Sequence, residues 1–174
     1  IVKTFYTPYE NAEQTPGFLR YPAELRSLNR MLKLWNQGLA AAAKAVEAAD
    51  PAKRDEARRL EALGHFIRNS IRTTIHIKQW WLSNMAMQTS TTAEEAEKHL
   101  DQIEKIAHAE IENAEDTIPV VEFDSRLGWE PSMEYVCDKW HLEWKIRQVQ
   151  SALRETAAYR RMLRLHRNTK KRLD

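Results

Sequence analysis

An all-α fold follows from three features of this chain. Alanine, leucine, glutamate, lysine and arginine dominate, and these residue types sit in helices at little cost. Only four glycines and six prolines occur in 174 residues, few for a loop-rich or all-β protein. Apolar residues recur at three- and four-residue spacing through four long stretches, and no convincing segment alternates with a period of two. The expected architecture is an antiparallel bundle of four long helices, preceded by an extended aromatic N-terminal arm. One ordered loop is expected between the third and fourth helices.

Residues 1–21 form the expected arm, with Phe5, Tyr6 and Tyr9, two prolines and Gly17. The helical bundle is expected over 22–174. Its first helix starts at Tyr21-Pro22, where a proline's missing N–H costs nothing, and runs to about 49. Leu25, Leu28, Met31, Leu32, Trp35 and Leu39 mark its inner stripe. Asp50-Pro51 reads as cap and first residue of a second helix, to about 88. Its stripe runs from Leu60 and Leu63 through Phe66, Ile67, Ile71 and Ile75 to Trp81, Leu82 and Met85.

Thr92 followed by Glu95 fits a capping box, so the third helix starts near Ala93 and reaches about Asp116. Its apolar stripe is narrow (Ala96, Leu100, Ile103, Ile106 or Ala107, Ile111). That predicts a place on the outside of the bundle. The loop 117–131 follows, with 118–123 extended. Pro131-Ser132 then opens a fourth helix to about 170, with Met133, Val136, Trp140, Trp144, Val149 and Leu153 on its stripe. At 1.5 Å per residue this helix would be roughly 60 Å long.

Charge narrows the function classes. The net charge is +2, so no global field draws the protein to nucleic acid or to a membrane. The tail 154–174 holds eight Lys/Arg against two acids, net +6, which leaves −4 on the rest. It lacks base-reading or stacking modules, so a solvated helix end with cations near its C-terminus is the expectation. The lone Cys137 excludes an intrachain disulfide framework and reads as a buried, inert thiol in a helix. No apolar run has the length of a membrane span, and no signal peptide is visible. Cytoplasmic rather than secreted localisation is expected. The opening at Ile1 rather than Met is that of a piece of something larger, or of a processed product.

No residue set names a reaction. Glu61 with His65, and Glu104 with His108, are four apart on helix faces. A di-iron bundle would need Glu-x-x-His at three-residue spacing, which does not occur. Zinc spacing is also missing. Surface pairing is therefore expected, with no metal and no cofactor. Glu122, Asp124, Glu130 and Glu134 cluster around the loop, but a glycosidase needs two carboxylates about 5–9 Å apart across a substrate. No catalytic residue is assigned.

The loop 122–135 carries the candidate contact residues. Asp124 and Arg126 can pin it as a charge pair. Gly128 permits a tight backbone turn. Glu130 and Pro131 precede the fourth helix, where a negative charge is favourable. Trp129 is the tryptophan placed to contact a partner or a sugar ring. Adjacent Trp80 and Trp81 point about 100° apart, so one can be core while the other reaches elsewhere. Trp35, Trp140 and Trp144 fall on stripes and are expected in the core.

Two segments carry a family resemblance. One is Phe66-Ile67-Arg68-Asn69-Ser70-Ile71-Arg72-Thr73-Thr74-Ile75-His76-Ile77-Lys78-Gln79-Trp80-Trp81. The other runs from Ile111-Glu112-Asn113-Ala114-Glu115-Asp116-Thr117-Ile118-Pro119 into Asp124-Ser125-Arg126-Leu127-Gly128-Trp129-Glu130-Pro131-Ser132-Met133-Glu134-Tyr135. Over most of 22–155 the chain resembles the helical C-terminal region of large bacterial glycoside-hydrolase-related proteins of the α-glucuronidase-like kind. The resemblance implies a non-catalytic helical part of a longer polypeptide or complex. The catalytic acid and base would lie in a separate barrel domain. The helices would brace that barrel, form a homo-oligomer, or lend a loop to the rim of its site. The basic tail lies outside the resemblance. A self-standing helical interaction module is the alternative, and a metal-dependent bundle enzyme a weaker one.

Overall fold

The computed structural model describes residues 17–130 and 135–173, with side chains described over 19–129 and 136–166. Four helices hold nearly all of these residues: α1 (Gly17–Ala48), α2 (Arg54–Gln88), α3 (Ala93–Phe123) and α4 (Lys139–Leu173). Between α3 and α4 lie a 3-10 turn, Ser125–Gly128, and two short strands, β1 (Trp129–Glu130) and β2 (Tyr135–Val136). The expected arm over 1–16 lies outside the described residues. The all-α class is as the sequence predicts.

The helices pack in chain order: α1 on α2, α2 on α3, and α3 on α4. No other helix pair packs extensively among the described residues. Along each pair, partners rise on one helix as they fall on the next. Trp35 bonds to Gly64 while Glu24 pairs with Lys78. Asn69 bonds to Thr117 while His76 meets Glu110. Lys139 pairs with Glu122 while Arg160 reaches Asp101.

This order corrects the place of the third helix. α3 is central rather than peripheral, because it is covered by α2 on one side and α4 on the other. Its buried positions 96, 100, 103, 107, 110, 114, 117 and 121 step by four and three along the whole helix. The stripe looked narrow in sequence because Glu110, Asn113 and Thr117 are buried polar residues. The other helices bury less of their expected stripes. Leu60 and Leu63 of α2, and Trp140 and Trp144 of α4, expected in the core, are 66%, 40%, 60% and 49% exposed.

Several boundaries also differ from expectation. α1 begins at Gly17, so 17–21 are helical rather than extended and Pro22 lies inside the helix. The tertiary contact that holds this turn is Tyr21 packed edge-on against Trp81, with centroids 5.0 Å apart. Lys78 Nζ adds a cation 4.2 Å above the Tyr21 ring. Asp50 caps a turn rather than the helix, since its Oδ1 accepts from the Ala52 amide at 2.9 Å. α2 therefore starts three residues later than Pro51.

α3 starts at Ala93 as predicted, with Thr92 Oγ1 accepting from the Glu95 amide at 3.2 Å. The reciprocal half of the box is shifted, because Glu95 accepts from Thr91 rather than Thr92. The helix then continues through Pro119 to Phe123, where an extended connection was expected. The carbonyl that Pro119 leaves without a helical partner belongs to exposed Glu115, where water can satisfy it. Beyond it, buried Val121 continues the core stripe.

α4 starts at Lys139, not Pro131, because 135–136 pair with 129–130 as strands. Cys137 thus sits between strand and helix, half-buried, rather than within a helix. The start of α4 is capped by Asp138, whose Oδ1 accepts from the His141 amide at 2.9 Å. The basic tail is only partly solvated. Arg160 bridges Asp101 at 2.8 Å and Glu104 at 3.0 Å, and Arg164 meets Glu97 at 3.0 Å. Arg160 and Arg164 therefore lie on the acidic face of α3. No helix among the described residues is long and apolar enough to cross a membrane.

Candidate functional site

The segment between α3 and α4 is built by a short series of local rules. α3 ends when Asp124 turns extended, and its Oδ1 accepts from the Arg126 amide at 3.2 Å, which starts the 3-10 turn. The Arg126 guanidinium then grips the same carboxylate through two bonds, Nε to Oδ1 at 2.8 Å and Nη2 to Oδ2 at 2.6 Å. These bonds, with the Arg126 charge, hold the Asp124 carboxyl at about 2, well below the ordinary 3.8. The pair closes on itself, so neither group is presented as acid or base.

Gly128 is buried, and its carbonyl accepts from the Cys137 amide at 2.6 Å. A Cβ on Gly128 would stand 2.0 Å from the Cys137 carbonyl oxygen. Close backbone approach, not a left-handed conformation, is what requires glycine here. The ribbon that follows pairs Trp129 with Val136 and Glu130 with Tyr135. Directly paired residues share one face of a ladder. Trp129 and Val136 are 62% and 41% exposed, so that face is apolar and open.

Trp140 and Trp144 follow one helical turn apart on α4, also exposed, and Phe123 at the end of α3 is 52% exposed. Lys139 ties the two helix ends together through Glu122 at 3.3 Å. Glu130 has its backbone in β1 rather than at a helix start, and Pro131 lies outside the described residues.

Trp80 is remote from this loop in the fold. It lines a cleft of about 430 Å³ with Tyr21, His76, Ile77, Glu110, Lys145 and residues of α4. Its neighbour Trp81 is 3% exposed and belongs to the core. The cleft floor is an unpredicted polar cluster. Glu110 binds Lys145 and Thr73 through Oε1 and His76 Nδ1 through Oε2. Burial pushes the Glu110 carboxyl up, but the His76 and Lys145 hydrogen bonds, the Lys145 charge and Thr73 outweigh it, so the group is held below its ordinary value. It is thus a charged anchor at neutral pH, and not a proton donor.

The cluster continues along α2 and α3. Asn113 donates to Thr73 Oγ1 at 3.0 Å and to the Asn69 carbonyl at 2.9 Å, and Asn69 donates to Thr117 at 2.9 Å. The sequence signal for these residues is their position. Glu110 and Thr117 fall on the four-three stripe of α3, where polarity alone hid them.

Glu61 and His65 lie 4.0 Å apart, while Glu104 pairs with Arg160. Among the described residues, no group of three or more His, Cys, Asp or Glu side chains is placed to hold a metal ion. No protein-family model matches the chain. No curated protein and no solved structure matches it either.

Proposed function

We propose that the chain is a non-catalytic helical module of a carbohydrate-active, glycoside-hydrolase-like enzyme. Its antiparallel bundle would brace the catalytic domain or an oligomer interface through the 122–135 loop. The carrying observation is the open Trp129–Val136 face on a ribbon whose base is fixed by Asp124–Arg126 and by Gly128–Cys137. An apolar face held at a rigid position is what a docking surface needs, since little ordering entropy is lost on binding. Trp140, Trp144 and Phe123, at the helix ends that flank the ribbon in the chain, are exposed as well.

In this reading Trp129 is the anchor, and a sugar at the rim of the partner's site can stack on its face. The acid and base belong to the catalytic domain, whether on the same or an associated polypeptide. The quoted resemblance over 66–81 and 111–135 supports the carbohydrate-active assignment. Cytoplasmic placement suits a chain with a single cysteine, Cys137.

The test is purification of the untagged protein from its natural source, with intact-mass measurement and a glycoside-cleavage assay. The expected result is a barrel-domain glycosidase, continuous with or bound to the chain, whose cleavage or assembly is impaired by Trp129→Ala. A lone 20.4 kDa species with no glycosidase activity would overturn the proposal and favour a free-standing interaction module.

A further inference from the structure

α1 packs on α2, and a groove opens along one edge of their seam. The groove, about 640 Å³, is lined by Met31, Leu34, Trp35, Gly38, Ala42 and, from α2, Gly64. Met31 and Leu34 are 43% and 57% exposed. Gly38 is the singular residue in it. A glycine inside a helix weakens it relative to alanine. Gly64 has a reason within the chain, since its added Cβ would stand 2.7 Å from Leu39 Cδ2. Gly38 has none, because an added Cβ would meet nothing within 4 Å. A missing side chain between exposed Leu34 and Ala42 leaves a notch where a second helix can approach closely.

The rim says what kind of helix. At about 100° per residue, Leu28, Trp35 and Leu39 fall on the α2 side of the Leu34–Gly38 line. Arg26, Arg30, Lys33 and Lys44 fall on the opposite side. None of these four cations forms an ion pair among the described residues. The acids of α1 do not offset them. Glu24 is taken by Arg20 and Lys78, and Glu47 lies on the far side from Gly38. In antiparallel self-pairing, the same edge of each copy would meet, setting Arg30 near Lys44 of the other. Like charge thus disfavours a second copy.

We infer that the α1 groove docks an amphipathic helix of another polypeptide or domain, with an apolar face seated over Gly38 and Asp or Glu along its flank. This surface is separate from the Trp129 loop and does not rest on the role proposed for it.

The test uses two synthetic helical peptides with the same leucine seam, one flanked by glutamates and one by lysines. Binding to the full chain is read by fluorescence anisotropy at low and high salt. The glutamate peptide should bind at least about tenfold more tightly, with the difference shrinking as salt rises. Gly38→Leu should abolish binding while keeping the helical circular dichroism and a melting temperature no lower than wild type, since its space is empty. Arg30→Glu with Lys33→Glu should reverse the peptide preference. Equal binding of both peptides, or binding unaffected by Gly38→Leu, would overturn the inference. So would concentration-dependent dimers of the chain that Gly38→Leu dissolves. Trp129→Ala should leave peptide binding unchanged, so failure here is separable from failure of the loop reading.

Discussion

Gly128 and Cys137 hold each other at backbone level. The Cys137 amide donates to the Gly128 carbonyl at 2.6 Å, and the Cys137 carbonyl oxygen occupies the place a Gly128 side chain would need. This contact sets where the ribbon begins, and so where Trp129 stands. Gly128→Ala would put Cβ 2.0 Å from that oxygen. Because the obstacle is backbone, the strands must separate. The expected loss is about 2 kcal/mol or more, read by urea unfolding. Trp129 emission should change in the folded variant.

The Asp124–Arg126 pair gives a pH signature. The native carboxyl titrates at about 2 against an ordinary 3.8. A depressed native value means the contribution to stability is full above 3.8 and fades as pH falls from there toward 2. Carboxyl chemical shifts followed by NMR should place Asp124 in that low range. In Arg126→Met the Asp124 titration should move back toward 3.8, since the guanidinium bonds and charge are gone and only the amide bond remains. An unchanged titration in that variant would exclude Arg126 as the cause.

Glu110 joins three helices through Thr73 and His76 of α2 and Lys145 of α4. Glu110→Ala leaves those groups facing a partly buried gap. A loss of about 2–3 kcal/mol is expected, at the lower end for a buried pair because Lys145 retains some solvent. Glu110→Gln keeps shape and some hydrogen bonds, and should lose less. The native Glu110 carboxyl is held below 4.5, so its contribution is present above that pH and disappears as pH falls through the lowered native value. Wild type and Glu110→Gln stabilities should therefore converge in acid.

Arg160 ties the basic tail to α3 through two carboxylates. Its side chain is 14% exposed and lies between Asp101 and Glu104. Arg160→Ala should cost about 1–2 kcal/mol and speed hydrogen exchange in the second half of α4. Neighbouring Arg161 is exposed and serves as the control, with an expected effect of Arg161→Ala within about 0.5 kcal/mol. Equal effects from both would mean the α3–α4 charge match does not hold the tail.

Gly38→Ala should stabilise the isolated chain by roughly 0.5–1 kcal/mol, seen as a higher melting temperature. No contact opposes the added methyl. A loss of stability instead would mean that the groove is occupied within the molecule.

Local sequence determined the helical class and the features that depend on neighbours in the chain. Thr92 and Glu95 fixed the start of α3 to the residue, because a cap is chemistry among adjacent groups. Residues that form the Asp124–Arg126 pair also stand two apart and were readable as a pair. Tertiary packing decided the rest. Pro22 and Pro119 lie inside helices because the Tyr21–Trp81 contact and buried Val121 stabilise the turns beside them. Trp140 and Trp144 are exposed although they sit on a helical stripe, since periodicity shows which residues share a face and not what covers it. Glu110, Asn113 and Thr117 became core for the converse reason. Each finds hydrogen-bond partners thirty or more residues away, and no local pattern records a partner at that distance.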